Sequence, residues 1–268
     1  MREFNLTFNQ RVMRSNRIRD TTLNLKFTLI CGFFIFYIDK CIKYTYNIIG
    51  DSNMEKNNPL YKNQGIHLIS SIFTVDNGEV KVLLINRKNE PFKNMWGLVG
   101  GALYNNEEIE DGLKREIYEK TGIKEIDIYF SNIFSKVNRS PIMRMVAISY
   151  IGIVDNKKMD ILKETLKTNN ADWFSIKNIP TLAYDHNEII DSSLESLKEL
   201  IIDTNILKVL FSDKFTIPEL QSVYEIILGK ELDRRNFRKK LLFDGIIEDT
   251  NNYKNYKGKK PAKLYKFR

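Results

Sequence analysis

Glu116 and Glu119 lie three residues apart in the run Arg115-Glu116-Ile117-Tyr118-Glu119-Lys120. On a helix that spacing makes the two carboxylates neighbours, and neighbours can share one divalent cation. Mg²⁺ held by only a few carboxylates leaves its other positions to water and substrate phosphates, so the implied chemistry is that of a diphosphate. If the chain hydrolyses such a substrate, Glu116 and Glu119 are the residues to carry it. An isolated pair of this kind more often marks a solvated helix face, and the surrounding residues must decide. Gly100-Gly101 reads as a turn ending a strand-like run. An acidic helix then spans about Glu107 to Lys120 and is stopped by Gly122.

Gly101, Glu107, Arg115-Glu116, Glu119 and Gly122 stand at intervals that resemble the Nudix box. The resemblance implies a metal-dependent site on diphosphate substrates, with Arg115 orienting the glutamates; the alternative for Arg115 is a surface pair with Asp111, four residues earlier. One anchor differs. Where the family has its second adjacent glutamate, normally a metal ligand, this chain has Lys120. An ammonium there would oppose each unit of the Mg²⁺ charge by about 4 kcal/mol at a separation of about 4 Å and an effective dielectric near 20. No cofactor is therefore required by this reading, and Mg²⁺ is retained as an option. The helix itself tolerates the change, since Glu116 and Lys120 form a favourable i, i+4 pair.

Charge is unevenly distributed along the 268 residues. Residues 1–53 carry a net +4, residues 54–203 a net −3 and residues 204–268 a net +7. An acidic middle and a basic C-terminal quarter suggest small-molecule handling in one domain and a polyanion partner for the other. Cys31 and Cys41 are the only cysteines, which leaves no disulfide framework or zinc knuckle for the rest of the chain and agrees with a reducing, cytoplasmic setting. His67 and His186 are far apart in sequence and read as structural residues. Arg87, Arg139 and Arg144 are candidates to fork a ligand phosphate or carboxylate, Arg87 being the one assigned to the ligand site together with Arg115, Glu116 and Glu119.

Residues 1–53 read differently from the remainder. Arg11, Arg14, Arg17 and Arg19 precede the apolar run Phe27 to Ile38, which is too short for the roughly 20 residues a bilayer-spanning helix needs. Met54 opens the kind of sequence with which a cytosolic protein begins, so residues 1–53 are read as an N-terminal extension outside the native chain; the alternative is a membrane-associating segment.

From Ile66 the pattern becomes strand-like. His67 to Val75 and Val80 to Ile85 flank the turn Asp76-Asn77-Gly78-Glu79, a hairpin signature. Further strands are expected at Asp127 to Phe134 and Met143 to Val154. An amphipathic helix follows over residues 187–203, its apolar residues recurring every three or four positions, with Asp185 as its expected N-cap. Strands around an acidic helix agree with the α/β sandwich implied by the box.

Trp173, placed soon after the last expected strand, with Ile179-Pro180 and Leu182-Ala183-Tyr184-Asp185-His186, resembles the NrtR family of Nudix-related transcriptional regulators. The C-terminal quarter extends that resemblance. Thr216 and Glu219 form a capping-box signature before a helix to about Leu228, stopped by Gly229. A second, basic helix starts after Leu232-Asp233. Ile246 to Glu248 and Ala262 to Phe267 read as strands joined by a polar loop, Asp249 to Pro261. The closing run Gly258-Lys259-Lys260-Pro261-Ala262-Lys263-Leu264-Tyr265-Lys266-Phe267 matches the family's pattern. This describes a winged helix-turn-helix, whose second helix enters the major groove of DNA, and it assigns DNA contact to Arg234, Arg235, Arg238, Lys239, Lys259 and Lys260.

The expected architecture is an α/β Nudix sandwich, residues 54–203, followed by a winged helix domain, residues 204–268. The resemblance implies a DNA-binding regulator with an ADP-ribose-like effector, a double-stranded operator and a homodimer, controlling a pathway such as NAD metabolism. The rival reading is a Mg²⁺-dependent Nudix hydrolase of nucleoside diphosphate derivatives.

Overall fold

A computed structural model describes residues 62–255 and 260–268. The readings made for residues 1–53, including Cys31 and Cys41, lie outside the described residues, as does Lys259.

Strands β1 (Gly65–Asp76) and β2 (Glu79–Arg87) form the expected antiparallel hairpin. Its turn residues Asn77 and Gly78 have φ of 50° and 79°, the left-handed conformations that match the twist of a two-residue hairpin. β3 (Trp96–Gly97), β4 (Val99–Ala102), β5 (Ile128–Phe134), β6 (Met145–Ile153) and β7 (Thr168–Ser175) complete a seven-stranded mixed sheet. β1 runs parallel to β6, while β2 pairs antiparallel with β1, β3 and β7.

The near-continuous apolar runs of β1 and β2 are buried on both faces, as a sheet covered from both sides requires. Helix α1 (Ile109–Thr121) covers one face, where Leu113 and Ile117 meet Leu68, Ile72, Leu83, Ile85 and Val99. Helix α2 (His186–Asp203) covers the other, packing Ile189, Ile190, Leu197 and Ile201 with Ile69, Phe73, Val82, Leu84 and Ile151. Truncating any one of these fully buried leucines or isoleucines to alanine costs about 2–5 kcal/mol.

A 3₁₀ turn (Ile206–Leu210) leads to β8 (Phe215–Thr216), α3 (Ile217–Leu228), α4 (Arg234–Phe243), β9 (Ile247–Lys254) and β10 (Ala262–Phe267). The three strands form a second sheet in the order β8-β10-β9, giving the winged helix. Its local signals are as read. Thr216 Oγ1 accepts from the Glu219 amide at 3.5 Å and Glu219 Oε2 accepts from the Thr216 amide at 2.7 Å, Gly229 ends α3 at φ 68°, and Asp233 caps α4 by accepting from the Asn236 amide at 2.8 Å. The two halves share one core. Ile201, Ile206 and Leu207 join Leu220, Tyr224, Leu241 and Phe267 in the same cluster as the α2 face of the large sheet, and the Tyr224 hydroxyl donates to the Ile201 carbonyl at 2.8 Å.

Four expectations about element bounds change. Gly100-Gly101 is no turn: both lie inside β4, paired with Ile69 and Leu68. Trp173 lies within a strand, β7, paired with Leu83 of β2. β9 continues to Lys254, so the wing loop is shorter than Asp249 to Pro261. The box helix begins at Ile109 with Glu108 as N-cap, leaving Glu107 in the preceding loop. Among the described residues no helix is long and apolar enough to cross a membrane.

Candidate functional site

The box is built by a close approach of α1 to β4. Gly122 stops α1 in the left-handed conformation, φ 78°, and donates its amide to the Tyr118 carbonyl at 2.8 Å. Leu113 and Ile117 fix the helix on the sheet, and this rotation lays Glu116 over Gly101. A Cβ at Gly101 would lie 2.2 Å from Glu116 Cδ, and one at Gly100 would lie 2.1 Å from the Leu68 carbonyl oxygen. These glycines are required by contact with a carboxylate and with a neighbouring strand.

Arg115 gathers the acidic residues. Its Nε and Nη2 each donate to Glu107 at 2.8 Å, Nη1 donates to Glu116 at 2.6 Å and Glu119 at 3.3 Å, and Nη2 also reaches the Ala102 carbonyl at 3.1 Å. The guanidinium lies 3.8 Å from the centroid of the Tyr104 ring. These partners are the ones the box reading expects of Arg115, and Asp111 is absent from them.

Glu116 and Glu119 do converge, as their helical spacing requires, but on cations already present. Lys120 Nζ lies 3.1 Å from Glu116 Oε2 and donates to the Gly100 carbonyl. Lys167, from the segment just before β7, donates to Glu116 at 3.3 Å and to Glu119. Sequence reasoning missed Lys167, because its partners are roughly 50 positions away. The one available signal was charge: Glu107, Glu116 and Glu119 outnumber Arg115 and Lys120.

This donor set does not fit a divalent cation. Glu116 and Glu119 are shared among a guanidinium and two ammonium groups, and among the described residues no three carboxylate, histidine or cysteine side chains are arranged to hold a metal. Burial would raise the Glu116 carboxyl, but Lys120, Arg115 and Lys167 outweigh it and hold it below the ordinary carboxylate range. Burial lowers Lys120, against the pull of Glu116. Burial also opposes the charge on Lys167, yet hydrogen bonding to Glu119 and the nearby Glu116 raise it. The Arg115 hydrogen bonds hold Glu107 down, from 4.5 to about 2.

A group whose folded pKa is depressed contributes stability above its unfolded pKa, and loses it as pH falls through the folded value. Melting temperature should therefore drop from about pH 4.5 toward pH 2, and Glu107→Gln should make the dependence in that window shallower. Parallel pH curves for wild type and variant would show that Glu107 carries none of it.

The box opens into a cleft of about 470 Å³ lined by His67, Arg87, Gly101, Lys120, Lys167 and Tyr184 among others. Arg87 is on this wall, holding the Pro91 carbonyl through Nε and Nη2 at 3.0 and 2.8 Å and lying 5.1 Å from the Tyr184 ring centroid. Tyr184 adopts φ 55°, a rare conformation for an aromatic residue, and packs against Phe92 with ring centroids 4.7 Å apart. Burial, with Lys120, Arg139 and Arg87 nearby, pushes the His67 pKa down to about 3, so this histidine is uncharged at neutral pH.

The other candidates are structural. Arg139 grips Asp185 with two hydrogen bonds of 2.9 and 2.8 Å. Asp185 therefore does not cap α2 with its side chain, contrary to expectation, because a buried guanidinium takes its carboxylate. Arg144 donates to the Lys136 and Met145 carbonyls. His186 Nδ1 accepts from the Leu98 amide at 3.0 Å.

In the C-terminal part, Arg234, Arg235, Arg238 and Lys239 are exposed on α4, and Lys260 is exposed beside β10. Arg234, Arg235 and Arg238 meet along a groove of about 430 Å³ floored by Ile217, Pro218, Ala262 and Tyr265. A cationic rim over an exposed helix has the chemistry of a phosphate-binding surface.

The NUDIX domain family matches residues 66–194, and the NrtR DNA-binding winged helix domain matches residues 194–267. Over 201 residues the chain is 30% identical to the ADPR responsive transcriptional repressor NtrR of Acinetobacter baylyi, covering 74% of this chain and 79% of that protein. The chain belongs to the NrtR family. Shewanella oneidensis NrtR, solved in complex with a 27mer DNA, is similar in structure, with a TM-score of 0.65 and 27% identity over 76% of this chain and 93% of that one. The Nudix part of this NrtR family member is also similar to the ADP-ribose pyrophosphatase of Methanocaldococcus jannaschii, 32% identical over 152 residues, or 55% of this chain and 83% of that protein.

Proposed function

We propose that the protein is a cytoplasmic transcriptional regulator. In this reading residues 204–268 bind a double-stranded operator, and the Nudix-like part within residues 54–203 binds ADP-ribose or a related nucleotide or sugar phosphate. The observation that carries it is the basic helix α4, with its exposed arginines, in a winged helix that shares its core with the α2 face of the large sheet. The A. baylyi repressor, named as ADPR-responsive, and the DNA-bound S. oneidensis NrtR support it. Arg87, Arg115, Glu116 and Glu119 shape the ligand site, while Arg234, Arg235, Arg238, Lys239, Lys259 and Lys260 meet DNA. Two copies bind an inverted repeat, since helix-turn-helix proteins commonly match a two-fold operator, and control of a pathway such as NAD metabolism follows from the effector.

The likeness to an ADP-ribose pyrophosphatase favours a hydrolase instead. Against it stand Lys120 and Lys167, whose ammonium groups already neutralise the carboxylates a catalytic Mg²⁺ would need. Mobility shift of promoter DNA with and without ADP-ribose separates the two. The regulator gives a shift that ADP-ribose releases, and ADP-ribose turnover with Mg²⁺ stays near background. Robust turnover abolished by Glu116→Gln, with no promoter shift at low salt, would make it an enzyme.

A further inference from the structure

We propose that the cleft takes a diphosphate directly on Lys167 while Lys120 keeps Glu116 neutralised, the two ammonium groups together replacing a divalent cation, so that ligand binding needs no metal. The inference deepens the sensor reading and rests on it. Two ammonium groups carry the same charge as one divalent cation, and both lie against Glu116, the carboxylate at the centre of the box. The cleft wall holds four cations, Arg87, Lys88, Lys120 and Lys167, against two carboxylates, Glu90 and Glu116. Such a wall attracts an anion without help. Lysine is a serviceable phosphate ligand, acting as a point charge.

The two lysines have different tasks. Lys120 is held, with its side chain 13% exposed, between Glu116 and the Gly100 carbonyl. It keeps Glu116 neutralised when a second anion arrives. Lys167 is half-buried, with its side chain 35% exposed, on a flexible four-carbon stem. Its contact with Glu119 is at the surface, so it can turn from that carboxylate to a phosphate while Arg115 still holds Glu119 at 3.3 Å. Arg87 has no carboxylate partner among the described residues and adds a third cation on the same wall. His67, uncharged, neither repels nor neutralises the ligand.

Calorimetric titration of the full chain tests this, with ADP-ribose and inorganic pyrophosphate each measured in EDTA and in Mg²⁺. Wild type should bind ADP-ribose with affinities equal within about twofold in the two buffers. Lys167→Met should weaken both ligands at least tenfold in either buffer, and Lys167→Arg should recover most of the loss. Lys120→Glu, which adds a fourth carboxylate to Glu107, Glu116 and Glu119, should bind weakly in EDTA and regain affinity with Mg²⁺. Because Lys120 is buried and its variants can fail to fold, the half-exposed Lys167 carries the decision, with a thermal melt as control. Wild-type binding that falls tenfold in EDTA and returns with Mg²⁺ overturns the inference, as does unchanged affinity in Lys167→Met. Pyrophosphate binding in EDTA without ADP-ribose binding supports the anion site and sinks the ADP-ribose reading. Binding of neither ligand sinks both.

Discussion

Raising salt from 50 to 200 mM should weaken promoter binding by about 10³-fold or more, the loss typical of a protein that makes 6–10 phosphate contacts. Residues 204–268 carry a net +7, and Arg234, Arg235, Arg238 and Lys239 are exposed on one short helix, so the proposed pair of copies would supply enough cations for that number. Each phosphate neutralised releases condensed counterions, and the logarithm of affinity falls in proportion to their count. Arg234→Ala, Arg235→Ala and Arg238→Ala should each cost about 1–3 kcal/mol where the arginine reads a base; where it meets only phosphate, the loss is uniform across sequences and the salt slope drops by about one. Fluorescence anisotropy over a salt series measures both quantities. A flat salt response would mean that α4 does not face DNA.

Arg115→Met should lower stability by about 3 kcal/mol, seen as a melting temperature roughly 10 °C lower in a chain of this size. Arg115 neutralises Glu107, Glu116 and Glu119 at once, and Glu116 is 3% exposed. Removing one partner of a buried ionic network costs about 3–5 kcal/mol, because the remaining charge has lost its solvation and its counter-ion. The lower end applies here, since Lys120 and Lys167 stay in contact with Glu116. The same variant should blunt the response to ADP-ribose while leaving ligand-free DNA binding intact, because α4 lies outside the network. A melting temperature within about 2 °C of wild type would show that the lysines alone hold the carboxylates.

What was legible in the sequence was local. The Asn77-Gly78 turn, the Thr216 and Glu219 capping box and the Gly122 and Gly229 stops each act within a few residues, and each is found as read. The illegible parts depend on residues distant in the chain. Gly101 reads as a turn residue until α1 places the Glu116 carboxylate where a Cβ would be. Asp185 reads as a cap until Arg139, 46 positions away, takes its carboxylate. Thr168–Ser175 lacks the branched apolar run that marks a strand, yet it pairs along β2 because backbone pairing needs no particular side chain. The outer half of β9, Asn251–Lys254, is exposed and polar and so imitates a loop. Lys167 had no local pattern at all.

The shared core around α2 limits how this chain can be recombined. Leu197 and Ile201 pack with the large sheet at one side and, through Ile206, Leu207 and Tyr224, with the winged helix at the other. A chimera that exchanged only the residues after position 203 would marry a foreign reader to a helix shaped for the native one, and the seam would run through side chains that are fully buried. The winged helix family match begins at residue 194, inside α2. A graft therefore has to carry the last three turns of that helix with it, and its success would depend on how well Leu194, Leu197 and Ile201 suit the host sheet rather than on the length of any linker.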